Sequence, residues 1–179
     1  QQGAAIRFEL ENARWTCTLA AYDCTKEDAP IRSRDGVSPD GRWQAYVKEY
    51  NLWVRFLATG QEIQLTRDGE KHYDYATPLP YIRLMVEQGT EAVRQPAAVF
   101  WSPDSKKLVT YRIDSRNAAR FTVVQSAPPN RIRPVSYSYA YPLPGEYLSK
   151  AEPILFEVES GKRIAVQSEP LDLFFLEGP

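Results

Sequence analysis

The sequence predicts an all-β fold built from repeated antiparallel units. Its β-branched and aromatic residues gather in short runs at 43–47, 52–56, 107–113 and 121–124, the composition of half-buried strands. Its 14 prolines, scattered from Pro30 to Pro179, leave hardly any stretch long enough for a multi-turn helix. Two segments also recur, and self-similarity is the mark of a repeat architecture. Ser38-Pro39-Asp40-Gly41-Arg42 precedes one strand as Ser102-Pro103-Asp104-Ser105-Lys106 precedes another. Phe56-Leu57-Ala58-Thr59-Gly60, a hairpin corner, is answered by Glu157-Val158-Glu159-Ser160-Gly161. Pro presets φ in the first motif and Asp bonds its own backbone; Gly supplies the positive φ that the second corner needs.

Taken in order, Ile6–Leu10 and Trp15–Leu19 read as strands of an incomplete first unit, residues 1–35. Residues 36–74 run turn, strand, strand, Thr-Gly turn, strand, the order of a four-stranded propeller blade. Residues 75–97 read as an insertion. Within it, Ile82, Met85, Val86 and Val93 of Tyr81–Arg94 form a broken apolar helical face around Gly89. Residues 98–146 make the next blade, and 147–179 start a further one. The Ser38 and Ser102 motifs lie 64 positions apart, against roughly 40–45 for a simple propeller repeat. The insertion accounts for the excess. The expected architecture is a partial β-propeller of about three four-stranded antiparallel blades with one inserted short helix or loop.

Charge and composition exclude several classes of function. The 22 Lys and Arg balance 23 Asp and Glu to a formal net charge of -1, so no basic surplus exists for nucleic acid. No run reaches the roughly 18 apolar residues of a membrane helix, and the mean hydropathy is -0.47, so no membrane span is expected. The N-terminal Gln1-Gln2-Gly3-Ala4-Ala5 carries neither a basic nor an apolar leader region. One histidine and two cysteines are too few for a His-rich or four-thiolate metal centre, and no metal or cofactor is expected.

The remaining polar candidates have plain readings beside the sharp ones. His72 with Asp74 is an acid/base couple without a nearby nucleophile motif, or a polar loop residue. Asp68, Glu70 and Asp74 offer oxygen ligands, but at a spacing that fits no calcium loop. Cys17 and Cys24, seven positions apart, suit a disulfide across a hairpin in an oxidising compartment, or two reduced buried hydrophobes. Tyr137, Tyr139 and Tyr141 alternate, which puts all three on one strand face, as core packing or as a row for proline rings. Arg131 and Arg133 flank a Pro-rich corner as surface turn residues.

The ordered run from Ser38-Pro39-Asp40-Gly41 through Asn51-Leu52-Trp53-Val54-Arg55 and Thr59-Gly60 to Gln64-Leu65-Thr66 is followed by Phe100-Trp101-Ser102-Pro103-Asp104 and then Tyr141-Pro142-Leu143-Pro144-Gly145-Glu146. Over roughly residues 36–170 it resembles the N-terminal β-propeller domain of dipeptidyl peptidase IV and its bacterial relatives in the prolyl oligopeptidase family. The resemblance implies a propeller that caps an α/β-hydrolase domain and selects the peptides that reach its serine. This chain contains no Gly-x-Ser-x-Gly elbow, so no catalytic residue is expected in it.

The resemblance also implies a glutamate pair in the insertion that grips the substrate's α-amino group, since an ammonium favours partly desolvated carboxylates. Glu91 falls at the second of those positions, with Thr90 rather than a glutamate beside it; Glu87 lies four residues earlier. Glu87, Glu91, Tyr137 and Tyr139 are the candidate substrate-binding residues. The expected partners are a hydrolase domain, peptide substrates and a second copy in a homodimer, and the expected location is periplasmic or secreted. The competing expectation is a free-standing propeller-like binding or scaffold module without a peptidase partner, since fold does not fix function.

Overall fold

The computed structural model describes residues 5–10, 13–27, 36–78 and 82–173. Parts of the expected elements, including Tyr81 and residues 28–35 and 174–179, lie outside them. The chain divides into two units, 1–34 and 35–179.

In the first unit, β1 (Ala5–Leu10), β2 (Ala13–Thr18) and β3 (Cys24–Glu27) form an antiparallel sheet in that order. The turn from β2 to β3 closes through Thr18 N–H donating to the Asp23 carbonyl at 2.9 Å. That register sets Cys17 opposite Cys24, and a disulfide joins them.

The second unit holds the repeat. Its first sheet is β4 (Trp43–Lys48), β5 (Asn51–Phe56) and β6 (Glu62–Gln64), with Val37 bridging Gln44 at the free edge of β4. Then come β7 (Tyr73–Tyr75), α1 (Ile82–Gln88), β8 (Val99–Trp101), β9 (Lys107–Asp114), β10 (Arg120–Gln125), β11 (Val135–Ala140), β12 (Ser149–Glu157), β13 (Lys162–Ile164) and β14 (Leu171–Leu173). Six of these strands make one sheet centred on the β9–β12 pair: β7 and β8 both pair with β9, and β13 and β14 both pair with β12. β10 and β11 form a separate two-stranded hairpin.

Among the described residues the fold is thus almost all β, in open antiparallel sheets with one short helix, as the strand composition predicts. The grouping of strands differs from the expected division at residue 146, because residues 107–114 and 149–157 are neighbours in one sheet. The Tyr141-Pro142 turn does not open a new sheet. It returns the chain, after the hairpin, to the sheet it left. Local turn chemistry cannot tell these two cases apart, since only pairing across some forty residues separates them.

The two motif turns match bond for bond. The Ser38 hydroxyl accepts from Trp43 N–H at 3.0 Å and donates to Asp40 Oδ1 at 2.6 Å, which accepts from Arg42 N–H at 3.1 Å. The Ser102 hydroxyl accepts from Lys107 N–H at 2.9 Å and donates to Asp104 Oδ1 at 2.6 Å, which accepts from Lys106 N–H at 3.1 Å. Gly41 and Ser105 both take positive φ, 71° and 60°. The serine is used: its Oγ accepts Asp40 N–H at 3.1 Å, tying the second turn to the first.

Between the two sheets lies the main core, with Trp43, Ala45, Leu52 and Val54 from the first and Leu108, Ile154 and Phe156 from the second. Burying each such aliphatic side chain contributes about 1.5–3 kcal/mol. Trp101 Nε1–H also crosses to the Gly36 carbonyl at 3.1 Å. At one corner Asn51 Oδ1 accepts from Thr66 Oγ1–H and Gly69 N–H, which satisfies a buried amide.

Candidate functional site

The candidate substrate-binding residues, Glu87, Glu91, Tyr137 and Tyr139, fall on the two excursions from the six-stranded sheet: the insertion between β7 and β8, and the β10–β11 hairpin between β9 and β12. In the insertion, α1 turns its Met85 into the protein. Gly89, at φ 67°, ends the helix, and Gln88 then holds Arg94 through both of its amide atoms, accepting from N–H at 2.8 Å and donating to C=O at 3.0 Å. The helix packs beside β11.

Glu87 and Glu91 have different partners. Glu87 is exposed and pairs with Arg83 one turn back at 2.7 Å. Glu91 lies past the helix, and its Oε1 accepts the Ser138 N–H of β11 at 2.5 Å. Ser138 is held from the other side by Arg120, whose Nε donates to its Oγ at 3.1 Å and whose Nη2 donates to its carbonyl at 2.5 Å. Glu91 therefore joins the insertion to the hairpin, and its second oxygen has no protein donor among the described residues. The structure does not bring Glu87 into this arrangement.

The tyrosine row separates as well. Tyr137 is 2% exposed, with its hydroxyl donating to Gln125 Oε1 at 3.2 Å, so packing rather than a ligand takes its ring. Tyr139 is half-buried and meets Phe121 at 6.4 Å and Tyr141 at 5.8 Å, both edge-to-face. Phe121 is exposed, so these three rings give the hairpin an aromatic surface.

Below the excursions lies a charged network that the sequence reading missed. Arg112 of β9 pairs with Glu152 of β12 and lies 3.7 Å from Asp68, while Arg163 reaches Glu152 at 3.0 Å. Arg116 pairs with Asp114 at 2.7 Å and Glu70 at 3.2 Å. The Arg112 and Arg116 guanidiniums lie over the Tyr73 ring at 4.7 and 4.0 Å. The Tyr75 hydroxyl donates to Asp68 at 2.6 Å and holds that carboxyl below its usual range, while burial pushes the phenol up to about 12. Asp68 and Glu70, weighed above as calcium ligands, face these donors. The network ties the segment that leads into the insertion to the β9–β12 pair. Its partners are up to 46 residues apart, so spacing carried no signal.

His72 and Asp74 are not a couple. Burial pushes the Asp74 carboxyl up to about 6, against the Thr77 hydroxyl, and burial with Arg120 and Lys71 lowers His72. Among the described residues no ion pair joins the two, no group of three or more metal-ligating side chains gathers, and no helix is long and apolar enough to cross a membrane.

A family model, the dipeptidyl peptidase IV (DPP IV) N-terminal region, matches residues 4–175. The chain belongs to that family. Among solved structures it is similar to dipeptidyl peptidase 4 of Porphyromonas gingivalis, with TM-score 0.53 and 19% identity over 93% of this chain and 24% of that one. It is also similar to a putative dipeptidyl aminopeptidase IV from Bacteroides ovatus, with TM-score 0.51 and 15% identity over 94% of this chain and 22% of that one. At these identities the likeness is one of fold, and this DPP IV N-terminal region chain spans about a quarter of the length of each.

Proposed function

We propose that this chain is a non-catalytic propeller segment of a DPP IV-like serine exopeptidase, gating and selecting peptides for an α/β-hydrolase domain. The observation that carries the reading is the family match along residues 4–175. Within it, Glu91 is the residue assigned to the substrate's α-amino group: one carboxylate oxygen is anchored on the Ser138 N–H, leaving the other for an ammonium. Tyr139, with Phe121, offers the adjoining aromatic surface. Glu87, tied to Arg83, and Tyr137, packed inside, take supporting parts. The Cys17–Cys24 disulfide favours a periplasmic or secreted location. Exposed Phe121 and Val124 on the hairpin favour self-association as a homodimer.

The test is hydrolysis of Xaa-Pro amides by this chain alone and by the full-length protein that carries it. The expected result is no turnover by the chain and turnover by the full protein, with Glu91→Gln raising KM about tenfold or more at little change in kcat, as loss of a charge-assisted bond requires. A full-length protein that binds a partner but cleaves no peptide overturns the reading in favour of a scaffold module.

A further inference from the structure

The insertion and the hairpin meet on one residue, Ser138, and bring opposite charges to it. Glu91 accepts its N–H at 2.5 Å, while Arg120, which opens β10, donates to its hydroxyl at 3.1 Å and to its carbonyl at 2.5 Å. The N–H and C=O of one strand residue point to the same edge, so the carboxylate and the guanidinium are fixed side by side. Among the described residues they do not pair with each other, and each keeps a free end: the second Glu91 oxygen and Arg120 Nη1. Both side chains belong to exposed residues, so a ligand can reach the two ends together.

His72 stands at the same place. Its carbonyl accepts the Ser115 N–H at 2.8 Å, where β9 gives way to the hairpin, and its ring lies within electrostatic reach of both Glu91 and Arg120, with Lys71 adjoining. Among the described residues Glu91 is the one carboxylate that acts on that ring. Thr90, beside Glu91, turns its hydroxyl to the Ala92 N–H at 3.1 Å, and Glu87 is spent on Arg83. The acids of the neighbouring network are likewise spent, Glu152 on Arg112 and Arg163, Asp114 and Glu70 on Arg116. Glu91 is therefore outnumbered by Arg120 and Lys71, and a ligand that brings only an ammonium enters a site with surplus positive charge. One that carries a carboxylate close to its ammonium answers both free ends, and a guanidinium is the cation best shaped to take that carboxylate.

We propose that this site selects peptides whose N-terminal residue is acidic, Asp or Glu, with the α-ammonium on Glu91 and the side-chain carboxylate on Arg120 beside His72. This rests on the reading of Glu91 as the amine ligand and adds to it the class of substrate. Arg120 is then the specificity residue. It also holds Ser138, and through Ser138 the strand that anchors Glu91, so its loss can slow every substrate. Only the contrast between an acidic and a neutral N-terminal residue of the same shape separates the two roles, because a merely structural part leaves that contrast unchanged.

Steady-state hydrolysis of Asp-Pro against Asn-Pro amides, and of Glu-Pro against Gln-Pro amides, by the full-length protein tests it. The expected result is a KM about tenfold or more lower for the acid of each pair at similar kcat. In Arg120→Gln that preference falls to within about twofold, whatever happens to the absolute rates, and Arg120→Lys, which keeps a cation, retains part of it. Equal KM for acid and amide, with all four cleaved, overturns the proposal and leaves the peptidase reading standing. An acid preference that survives Arg120→Gln overturns it too, since the charge is then read elsewhere. A protein that cleaves none of the four ends the peptidase reading and this one with it.

Discussion

The β4–β5–β6 sheet and the sheet built on β9 and β12 share turns, registers and corner glycines, yet they part at one point. The first joins its two central strands with Glu49 and Tyr50 alone; the second sends out residues 115–148, with the aromatic hairpin, at the equivalent place. The second also interrupts its outer strand between β7 and β8 to make room for α1. A shared scaffold tolerates such insertions because loop closure entropy grows slowly with length. One sheet is therefore mostly scaffold, while the other is scaffold plus two excursions, on which the proposed substrate-binding side chains lie.

Substitution at register-equivalent sites gives the widest contrast. Val54→Lys puts an unpaired charge in a fully buried site, and a loss of several kcal/mol, comparable with the whole stability of a domain, is expected. Leu155→Lys, at a half-buried site where Leu155 faces Ile164 as Val54 faces Ile63, costs about 1 kcal/mol or less in the same chain. Urea midpoints of the two variants decide, and equal losses would break the comparison.

A smaller difference separates two turn glycines. A Cβ at Gly69 would lie 2.2 Å from the Tyr50 carbonyl oxygen, so Gly69→Ala is expected to cost about 3 kcal/mol. Gly60, in open space at φ 74°, loses about 1 kcal/mol on the same change. Thermal melts of the two alanine variants should differ accordingly; a Gly69→Ala protein with unchanged Tm would mean that the corner at Tyr50 yields.

The matched serines sharpen the comparison further. Ser38→Ala leaves Trp43 N–H without its buried partner and costs about 2 kcal/mol, while Ser102→Ala, at an exposed turn where water replaces the hydroxyl, costs under about 1 kcal/mol. Identical losses in denaturant would show that exposure does not decide the worth of the shared bond.

The least effect is one of pH, confined to the sheet with excursions. Asp74 has its carboxyl pushed from an ordinary 3.8 to about 6 by burial, so the folded state holds a proton that the unfolded state releases between those values. Stability from this group is present below about pH 4 and declines as pH rises through 6. Asp74→Asn should melt like the parent at pH 3.5 and higher than it at pH 7.5; a gap of the same size at both values would remove burial of the charge as the cause.

The strands at 43–47, 52–56, 107–113 and 121–124 and the paired Ser-Pro-Asp turns were legible in the residues, because alternation and turn chemistry act over a few positions. The sheet boundary after residue 146 was not, since a hairpin excursion and a new repeat begin with the same local signals. In the candidate site, Glu91 is singled out in the sequence by its place before Trp101, but its bond to Ser138 links residues 47 apart and carries no sequence signal, and the Tyr73–Arg112–Arg116 cluster likewise joins distant segments.

By itself, then, the sequence determined the all-β class, the repeat and its turns, and the family that those turns resemble. Only the tertiary structure decided which strands share a sheet, which tyrosine is buried, and where each glutamate spends its charge. The physical reason is range: dihedral preference and side-chain alternation are written within a few neighbouring residues, whereas burial and ion pairing depend on which distant segments close the sheet.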